Sequence, residues 1–324
     1  VSYTPNDETT PNYDNYTKLL FIHISLECHD SYFSQYTNDN TYPIIYHKHI
    51  NRQSIVDFIA NFKNIQRVAF AFHGPENIND SHNTVDFIHH EPLFLDSDLL
   101  ENTSVLSDNV IFVKSLISQF SLENMDFLGC NLLQIESYKK YFQLLKNGNS
   151  NLSVGASDDN TGNVKSGTDW TMETSMENIK TVYFNDSIDS YASILSTIYY
   201  SSSPDYLNYN LNTNNLTAQV VSISSGHSTT VRIPGKITYL DPNTNISTIY
   251  TVTSIGASAF YNKTNINTVT ISAPIYYIGF AAFSGTTNIT SVTLPDTLTT
   301  LGTYGGNTDT CLLYTSPSPR DKRQ

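Results

Sequence analysis

The chain has little cysteine, few basic residues and no long apolar run, and each deficit excludes a class of protein. It contains 3 cysteines, one of which, Cys311, lies in the C-terminal tail, so a disulfide framework is excluded. Lysine and arginine number 17 against 30 aspartate and glutamate, a formal net charge of −13. Because no basic patch is present, nucleic-acid binding is not expected. No apolar stretch is long enough to cross a bilayer, so no membrane span is expected either.

Both ends of the chain differ from the rest. Residues 1–17 are polar and interrupted by prolines, which predicts a linker or a frayed end. Residues 311–324 begin CLLYTSPSPRD, which resembles read-through of a sequencing adapter, and we interpret them as an artefactual tail with no part in the fold. Because the chain begins at Val1, we expect it to be a fragment at its amino end, in which no signal peptide is visible.

Residues 18–196 alternate short apolar runs with amphipathic stretches. The runs at 19–24, 43–46, 66–72, 125–128 and 152–156 predict buried strands. Apolar residues at helical spacing predict three helices: Ile55, Phe58, Ile59 and Phe62 after a cap at Asn51; Val113, Leu116, Ile117 and Phe120; and Tyr138, Tyr141, Phe142 and Leu145 before Gly148. This alternation predicts an α/β domain with a mostly parallel sheet and helices on both faces. Residues 181–184 and 188–194 predict an edge hairpin or a packing segment.

Two of the predicted strands end in residues that can do covalent chemistry. One run stops at His73-Gly74, and another stops at Gly129-Cys130. If these strands are parallel neighbours, the imidazole and the thiol reach the same edge of the sheet, where open α/β sheets place their sites. A thiol attacks as the thiolate, and a nearby imidazole can take its proton. The glycines let a substrate carbonyl approach backbone N–H groups. The sequence therefore predicts a Cys/His dyad.

Four ordered motifs carry a family resemblance: RVAFAFHG, MDFLGCN, VGASDDNTGN and DWTME. The His-Gly and Gly-Cys strand ends resemble the caspase-like cysteine peptidases. The four motifs together are similar to DUF4347, a domain of unknown function found in large bacterial surface and secreted proteins. The resemblance implies His73 as general base, Cys130 as nucleophile and the backbone N–H groups of Gly74 and Cys130 as oxyanion donors. It also suggests a secreted or cell-surface location. The caspase-type Gln-Ala-Cys signature is absent, so no substrate pocket is carried over.

Other polar residues have weaker patterns. Asp158, Asp159 and Asn160 are candidates for a substrate pocket. Together with Asp169, the two aspartates could shape a pocket for a basic residue or hold Ca²⁺, and the alternative is a simple turn. No metal site or other cofactor is predicted. Cys28-His29 is interpreted as a structural or loop pair rather than a metal site. His82, His89 and His90 are interpreted as residues of a solvated loop rather than metal ligands. Trp170 is interpreted as a packing side chain.

Residues 209–310 contain a repeat with a period of 23. Shifting the chain by this period aligns three sets of positions: Val252, Ile275 and Leu298; Ile255, Ile278 and Leu301; and Gly256, Gly279 and Gly302. The pattern resembles BspA-type leucine-rich repeats and predicts a β-rich solenoid with a right-handed stack of nearly equally buried ladders. Residues 209–250 resemble the β-hairpin cap that precedes such repeats. Residues 197–208 are interpreted as a linker.

Two functional hypotheses follow. In the first, a caspase-like cysteine peptidase or autoprocessing hydrolase is attached to a repeat array that binds a partner. Its partners would be a polypeptide substrate or a protein ligand of the repeats. In the second, the α/β domain is a degenerate, non-catalytic scaffold, and the chain is a surface or adhesion protein.

Overall fold

The computed structural model describes residues 11–23, 26–28, 31–46, 50–75, 108–162, 168–191, 195–201, 206–213, 215–241 and 244–302. The chain divides into two compact units, Val1–Thr197 and Ile198–Gln324. Some of the residues singled out from the sequence lie outside the described ranges: His29, the cluster of His82, His89 and His90, and the tail 311–324.

The first unit contains strands and helices in alternation. Its α-helices are α1 (Arg52–Ile59), α2 (Asp108–Phe120), α3 (Glu136–Lys146) and α4 (Lys180–Tyr183), with short 3₁₀ helices at Tyr13–Asn15, Phe33–Tyr36, Leu132–Gln134 and Asp186–Ser190. Its strands are β1 (Lys18–His23), β2 (Glu27–Cys28), β3 (Ser31–Tyr32), β4 (Thr41–Tyr46), β5 (Arg67–Ala71), β6 (Gly74–Pro75), β7 (Asn124–Leu128), β8 (Ser153–Ala156), β9 (Thr171–Met172), β10 (Glu177–Asn178) and β11 (Ser196–Ser201).

Five of these strands form one parallel sheet in the order β4-β1-β5-β7-β8. The predicted mostly parallel α/β sheet is therefore confirmed. Its strands are near-continuous apolar runs because both faces are covered. β5 and β7 are neighbours, and their register ends with Ala71 opposite Leu128. The residues that follow both strands thus leave the sheet at the same edge.

The three predicted helices are present. Asn51 caps α1, since its side chain accepts from the amide of Gln53. The helix ends at Ile59, so Phe62 lies beyond it although still buried. All four periodic residues of α3 are buried, and Gly148 follows with a φ of 83°, the left-handed geometry that ends a helix.

The two faces of the sheet are covered differently. Alternate side chains of β1 enter separate cores, Phe21 on one face and Ile22 on the other. Residues of α1, α2 and α3 belong to the first core. In the described part of the chain, the second core is closed by one-turn helices and loops instead, with residues such as Phe33, Trp170 and Tyr183. Among the described residues, the three longer helices therefore cover one face, and short helices such as α4 cover the other.

The segment after α4 also differs from one of its predicted alternatives. Residues 180–190 form two short helical turns and no edge hairpin. Phe184, Ile188 and Tyr191 are buried in the second core, so these residues form the packing segment. Large aromatic side chains fill this face because the strand residues beneath them, Ala69 and Ala71, are small.

The regular elements described in the second unit are β-strands. After β11, in which the division between the units falls, its strands are β12 (Leu207–Asn212), β13 (Thr217–Ile223), β14 (Thr230–Ile233), β15 (Lys236–Leu240), β16 (Ser247–Ile255), β17 (Thr268–Ile271), β18 (Tyr277–Ile278), β19 (Ser291–Thr293) and β20 (Thr300–Leu301). Ser196–Ser201 is thus a strand, at the start of the segment interpreted as a linker.

The strands of the second unit repeat with the predicted period. β13, β16, β18 and β20 pair in parallel, as do β14, β17 and β19. Residues 23 apart are register partners, as in Ser254 with Tyr277 and Tyr277 with Thr300. The region interpreted as a cap holds the antiparallel pair β12–β13. Because β13 and β14 already pair with β16 and β17 in parallel, this region also supplies the first layer of the stack.

Side chains at equivalent positions of successive repeats were predicted to form buried ladders, and those of the earlier repeats are buried. Ile255 and Ile278 are fully buried, and Phe260 and Phe283 stack with ring centroids 4.9 Å apart and planes 5° apart. Leu301 is 41 % exposed, and Val292 is only partly buried. The expectation of nearly equal burial is wrong at these last members, since among the described residues they are covered from one side.

Candidate functional site

The two strands that end in reactive residues run side by side. The β5–β7 pairing continues one residue past β5, with the amide of Phe72 donating to the carbonyl of Leu128, the last residue of β7, at 3.1 Å. His73-Gly74 and Gly129-Cys130 follow at the same edge of the sheet. The sequence predicted this placement from the strand ends alone.

The backbone of Gly74 lies directly against that of Cys130. A Cβ atom at Gly74 would lie 2.1 Å from the Cys130 carbonyl oxygen, so only glycine permits this approach. After Cys130 the chain turns sharply at Asn131, whose φ is 59°, a conformation that asparagine tolerates better than most residues. A 3₁₀ turn and α3 follow, so Cys130 occupies a tight bend between strand and helix.

The amides of Gly74 and Cys130 converge on one carbonyl oxygen. The Leu195 oxygen accepts from Gly74 N at 2.7 Å and from Cys130 N at 3.2 Å. Leu195 also donates its own amide to the Thr161 carbonyl at 2.8 Å. Beyond it, Ser196 and Thr197 pair in parallel with Gly74 and Pro75. The two N–H groups expected to bind an oxyanion therefore bind a peptide carbonyl of the same chain.

The sulfur of Cys130 is held by the backbone of Thr161. The Thr161 amide donates to Sγ at 3.1 Å, and the thiol lies 3.5 Å from the Thr161 carbonyl oxygen, which can accept from it. Cys130 is fully buried. An N–H donor beside the sulfur would stabilise a thiolate. Thr161 thus contacts both Cys130 and Leu195 through its main chain.

The loop predicted as a substrate pocket lies beside this bend. Asn131 donates its amide to the Asp159 carbonyl at 2.7 Å, and its side chain donates to Asn160 Oδ1 at 3.0 Å. Gln134 donates to the carbonyl of Asp158. The carboxylates of Asp158 and Asp159 are themselves exposed, so the loop meets the cysteine turn through backbone and amide groups.

The acidic residues group differently from the expectation. Asp158 and Asp159 come together with Glu173, with carboxylate oxygens within 4.8 Å of one another. Asp169 is not part of this group, and its carboxylate accepts from the amide of Thr171 at 2.7 Å. Exposed acidic groups of this kind are common without a bound ion, so no cation is assigned to them.

A buried ionic network lies in the same sheet, beginning at the opposite end of β5. Arg67 donates to Asp126 at 2.6 and 3.0 Å and to Glu177 at 3.0 and 2.8 Å. Burial opposes the charge on Arg67, but hydrogen bonds to Asp126 and Glu177 outweigh it and raise the pKa of the guanidinium. For Tyr183, which donates to Asp126, burial acts in the other direction and raises the pKa, because it disfavours the charged phenolate. These groups satisfy one another and stabilise the fold.

The structure adds two residues that the sequence did not single out. Thr161 was part of a quoted motif but had no role, and Leu195 lay in a segment without an assigned structure. Their roles depend on main-chain contacts, for which side-chain identity carries no signal. Trp170 is buried with Phe33 and Phe184, at centroid distances of 6.4 and 5.0 Å, as a packing residue. Cys28 lies in β2, which pairs with β3.

Two family models match the chain. Residues 19–195 match the model of a domain of unknown function, DUF4347, and residues 253–305 match the BspA-type leucine-rich repeat region. No curated protein matches the chain.

Several solved leucine-rich repeat proteins are similar to part of the chain. A leucine-rich cell surface protein of Faecalibacterium prausnitzii is 26 % identical over 33 % of this chain and 27 % of its own, with a TM-score of 0.27. A leucine-rich repeat protein of Bacteroides ovatus is 26 % identical over 31 % of this chain and 24 % of its own, also with a TM-score of 0.27. The chain thus covers about a quarter of the length of each. In the described part of the chain, no helix is long and apolar enough to cross a membrane.

Proposed function

The chain belongs to the DUF4347 family, and from that premise we propose that its first unit is a cysteine peptidase-type hydrolase, resembling the caspase-like enzymes, with Cys130 as nucleophile and His73 as general base. The repeats of the second unit bind a protein partner. The substrate is a polypeptide.

One observation carries this proposal: the amides of Gly74 and Cys130 point at a single carbonyl oxygen, at 2.7 and 3.2 Å. Two backbone N–H groups aimed at one oxygen are the arrangement that stabilises a tetrahedral oxyanion, for which donors lie near 3 Å. One of the donors belongs to the nucleophile itself, so attack by Sγ develops the negative charge where the donors already point.

The other contacts fit the same reaction. The Thr161 amide lies 3.1 Å from Sγ and favours the thiolate. His73 follows the strand beside Cys130, within the same bend that carries Gly74, and is the group assigned to take the thiol proton and return it to the leaving amine. The buried setting of Cys130 strengthens these electrostatic contacts.

The decisive experiment is covalent labelling of the folded protein with peptidyl acyloxymethyl ketones that vary in their terminal side chain, with and without Ca²⁺. We expect modification to map by mass spectrometry to Cys130. Cys130→Ser and His73→Ala should each lose the label while the protein stays folded, with thermal unfolding nearly unchanged. Cys28→Ser and His227→Ala are the matched controls, since His227 is in the second unit, and both should label normally.

The second candidate function is binding without catalysis. It is favoured by the complete burial of Cys130, which is also usual for a small core residue. In that case the repeats alone carry the function, as a surface or adhesion protein. Absence of label at Cys130 with every probe, together with absence of peptide-bond cleavage within the chain, in a protein shown to be folded, would select this candidate.

A further inference from the structure

We infer that the polypeptide substrate of this site is the chain itself, and that the bond cleaved is the one between Leu195 and Ser196. This inference rests on the proposed function and deepens it by naming the scissile bond. The carbonyl oxygen in the two-amide site belongs to Leu195, so the carbon that Cys130 would attack is the Leu195 carbonyl carbon.

The main chain around Leu195 is held as an extended substrate is held. Its amide donates to Thr161 at 2.8 Å, and its oxygen accepts from Gly74 and Cys130. Ser196 and Thr197 continue as a strand beside Gly74 and Pro75. Hydrogen bonds therefore fix the chain on both sides of the Leu195–Ser196 bond. Peptides recognised by strand addition are bound in this way, with affinity from the main chain.

The side chain of Leu195 supplies the specificity. It is fully buried in the second core of the first unit, in the cluster that contains Leu128, Cys130, Trp170 and Tyr191. An apolar core of this kind accepts an apolar side chain of leucine size and rejects a charged one, because a carboxylate or ammonium there would lose its hydration without a partner. We therefore expect the site to prefer an apolar side chain of about leucine size before the scissile bond.

The reaction balances with water as the only co-reactant. His73 takes the Cys130 thiol proton, and Sγ forms a bond to the Leu195 carbonyl carbon, whose oxyanion the two amides bind. The Leu195–Ser196 bond breaks as His73 returns the proton to the Ser196 nitrogen, which leaves a thioester and a free amine. Water, deprotonated by His73, then attacks the thioester. The products are the Leu195 carboxylate, the Ser196 amine and the restored thiol.

Two consequences follow. The cut separates residues 1–195, which carry His73 and Cys130, from residues 196 onwards, which carry every repeat strand. Before the cut, the Leu195 carbonyl occupies the oxyanion site, so a peptide supplied from outside is kept out. The intact chain should therefore react with a peptidyl probe only after cleavage.

The test follows the full chain after purification under non-cleaving conditions and transfer to neutral pH. We expect two fragments whose masses correspond to cleavage after Leu195, with Ser196 as the new amino terminus by sequencing. Cys130→Ser and His73→Ala should slow fragment formation by about 10⁴-fold or more, whereas Cys28→Ser should not change it. Leu195→Met should cleave within about tenfold of the parent rate, and Leu195→Asp should not cleave.

The outcomes separate this inference from the proposed function. Labelling of Cys130 by a leucyl acyloxymethyl ketone in a chain that stays intact, or that is cut elsewhere, overturns the inference and leaves the hydrolase standing. No labelling and no cleavage in a folded chain overturns both. Circular dichroism checks that each variant is folded. If Leu195→Asp does not fold, the parent cleavage position and the Leu195→Met rate still decide the matter.

Discussion

At the residue scale, Arg67 shows how this fold accommodates a buried charge. Its side chain is 12 % exposed and that of Asp126 only 1 %. Two charges this far from water are tolerated only when they are paired and their hydrogen bonds are satisfied. The guanidinium meets two carboxylates and donates to Tyr183 at 3.1 Å, so the requirement is met.

Arg67→Ala should therefore destabilise the first unit strongly. The substitution leaves Asp126 buried without its partner, which costs about 3–5 kcal/mol in the free energy of unfolding. Urea unfolding followed by tryptophan fluorescence measures this loss. Glu177→Gln is the control, because Glu177 is 40 % exposed and the loss of a pair so accessible to solvent costs less than about 1 kcal/mol. Equal losses of unfolding free energy in Arg67→Ala and Glu177→Gln would contradict the conclusion that the buried Asp126 depends on Arg67.

The same pair predicts a pH dependence. The hydrogen bond from Arg67 lowers the pKa of Glu177 below its ordinary value of 4.5. The unfolded chain binds this proton more readily than the folded one, so the contribution is fully present above about pH 4.5 and is lost as the pH falls through the folded-state pKa. Stability of the parent should fall more steeply in this acid range than that of Glu177→Gln.

At the element scale, the 23-residue repeat is a ladder of main-chain contacts. The amide of Gly256 donates to Val220, that of Gly279 to Ile255 and that of Gly302 to Ile278, at 2.7, 2.8 and 2.7 Å. Each layer binds the layer before it in the same way, so the layers share one core and stabilise their neighbours.

Phe260→Ala tests how much the shared core contributes to the free energy of unfolding of the repeats. The ring is fully buried and stacks on Phe283, so its removal should cost about 3–5 kcal/mol in the free energy of unfolding. Tyr276→Ala is the matched control in the same stack, because Tyr276 is 46 % exposed, and should change stability by less than about 0.5 kcal/mol. Guanidinium unfolding followed by circular dichroism gives both values. A loss below 1 kcal/mol at Phe260 would mean that the phenyl ladder does not support the stack.

At the scale of the whole molecule, each compact unit has its own buried core. Separate cores of this size are expected to unfold as separate cooperative transitions. The chain contains 1 tryptophan, Trp170, which is buried in the first unit. Tryptophan fluorescence therefore reports the first unit alone, whereas far-ultraviolet circular dichroism reports both.

We expect the two probes to respond to different substitutions. Arg67→Ala should lower the midpoint of the fluorescence transition, and Phe260→Ala should lower only a circular dichroism transition that fluorescence does not follow. The measurement is parallel thermal unfolding of the parent and both variants. Coincident transitions by both probes in all three proteins would show that the units unfold as one.

Periodic patterns in the sequence were sufficient for the parallel sheet, the three longer helices and the repeat. Apolar runs predicted the parallel strands, helical spacing predicted α1 to α3, and self-alignment predicted the repeat, because burial of one face imposes a local period on the chain. The positions of His73 and Cys130 at one sheet edge followed from the same reasoning, since parallel neighbours end at a common edge.

Only the tertiary structure decided which groups meet at that edge. Leu195 is 65 residues from Cys130 in the numbering, and it reaches the Gly74 and Cys130 amides through its carbonyl oxygen. Every residue has such an oxygen, so nothing in the sequence marks this one. The Arg67–Asp126–Glu177 network depends likewise on long-range packing, as does the placement of the described helices on the two sheet faces. The sequence determined the main elements and the strand-end positions of His73 and Cys130 by local periodicity, and the fold determined their contacts by bringing distant main-chain and charged groups together.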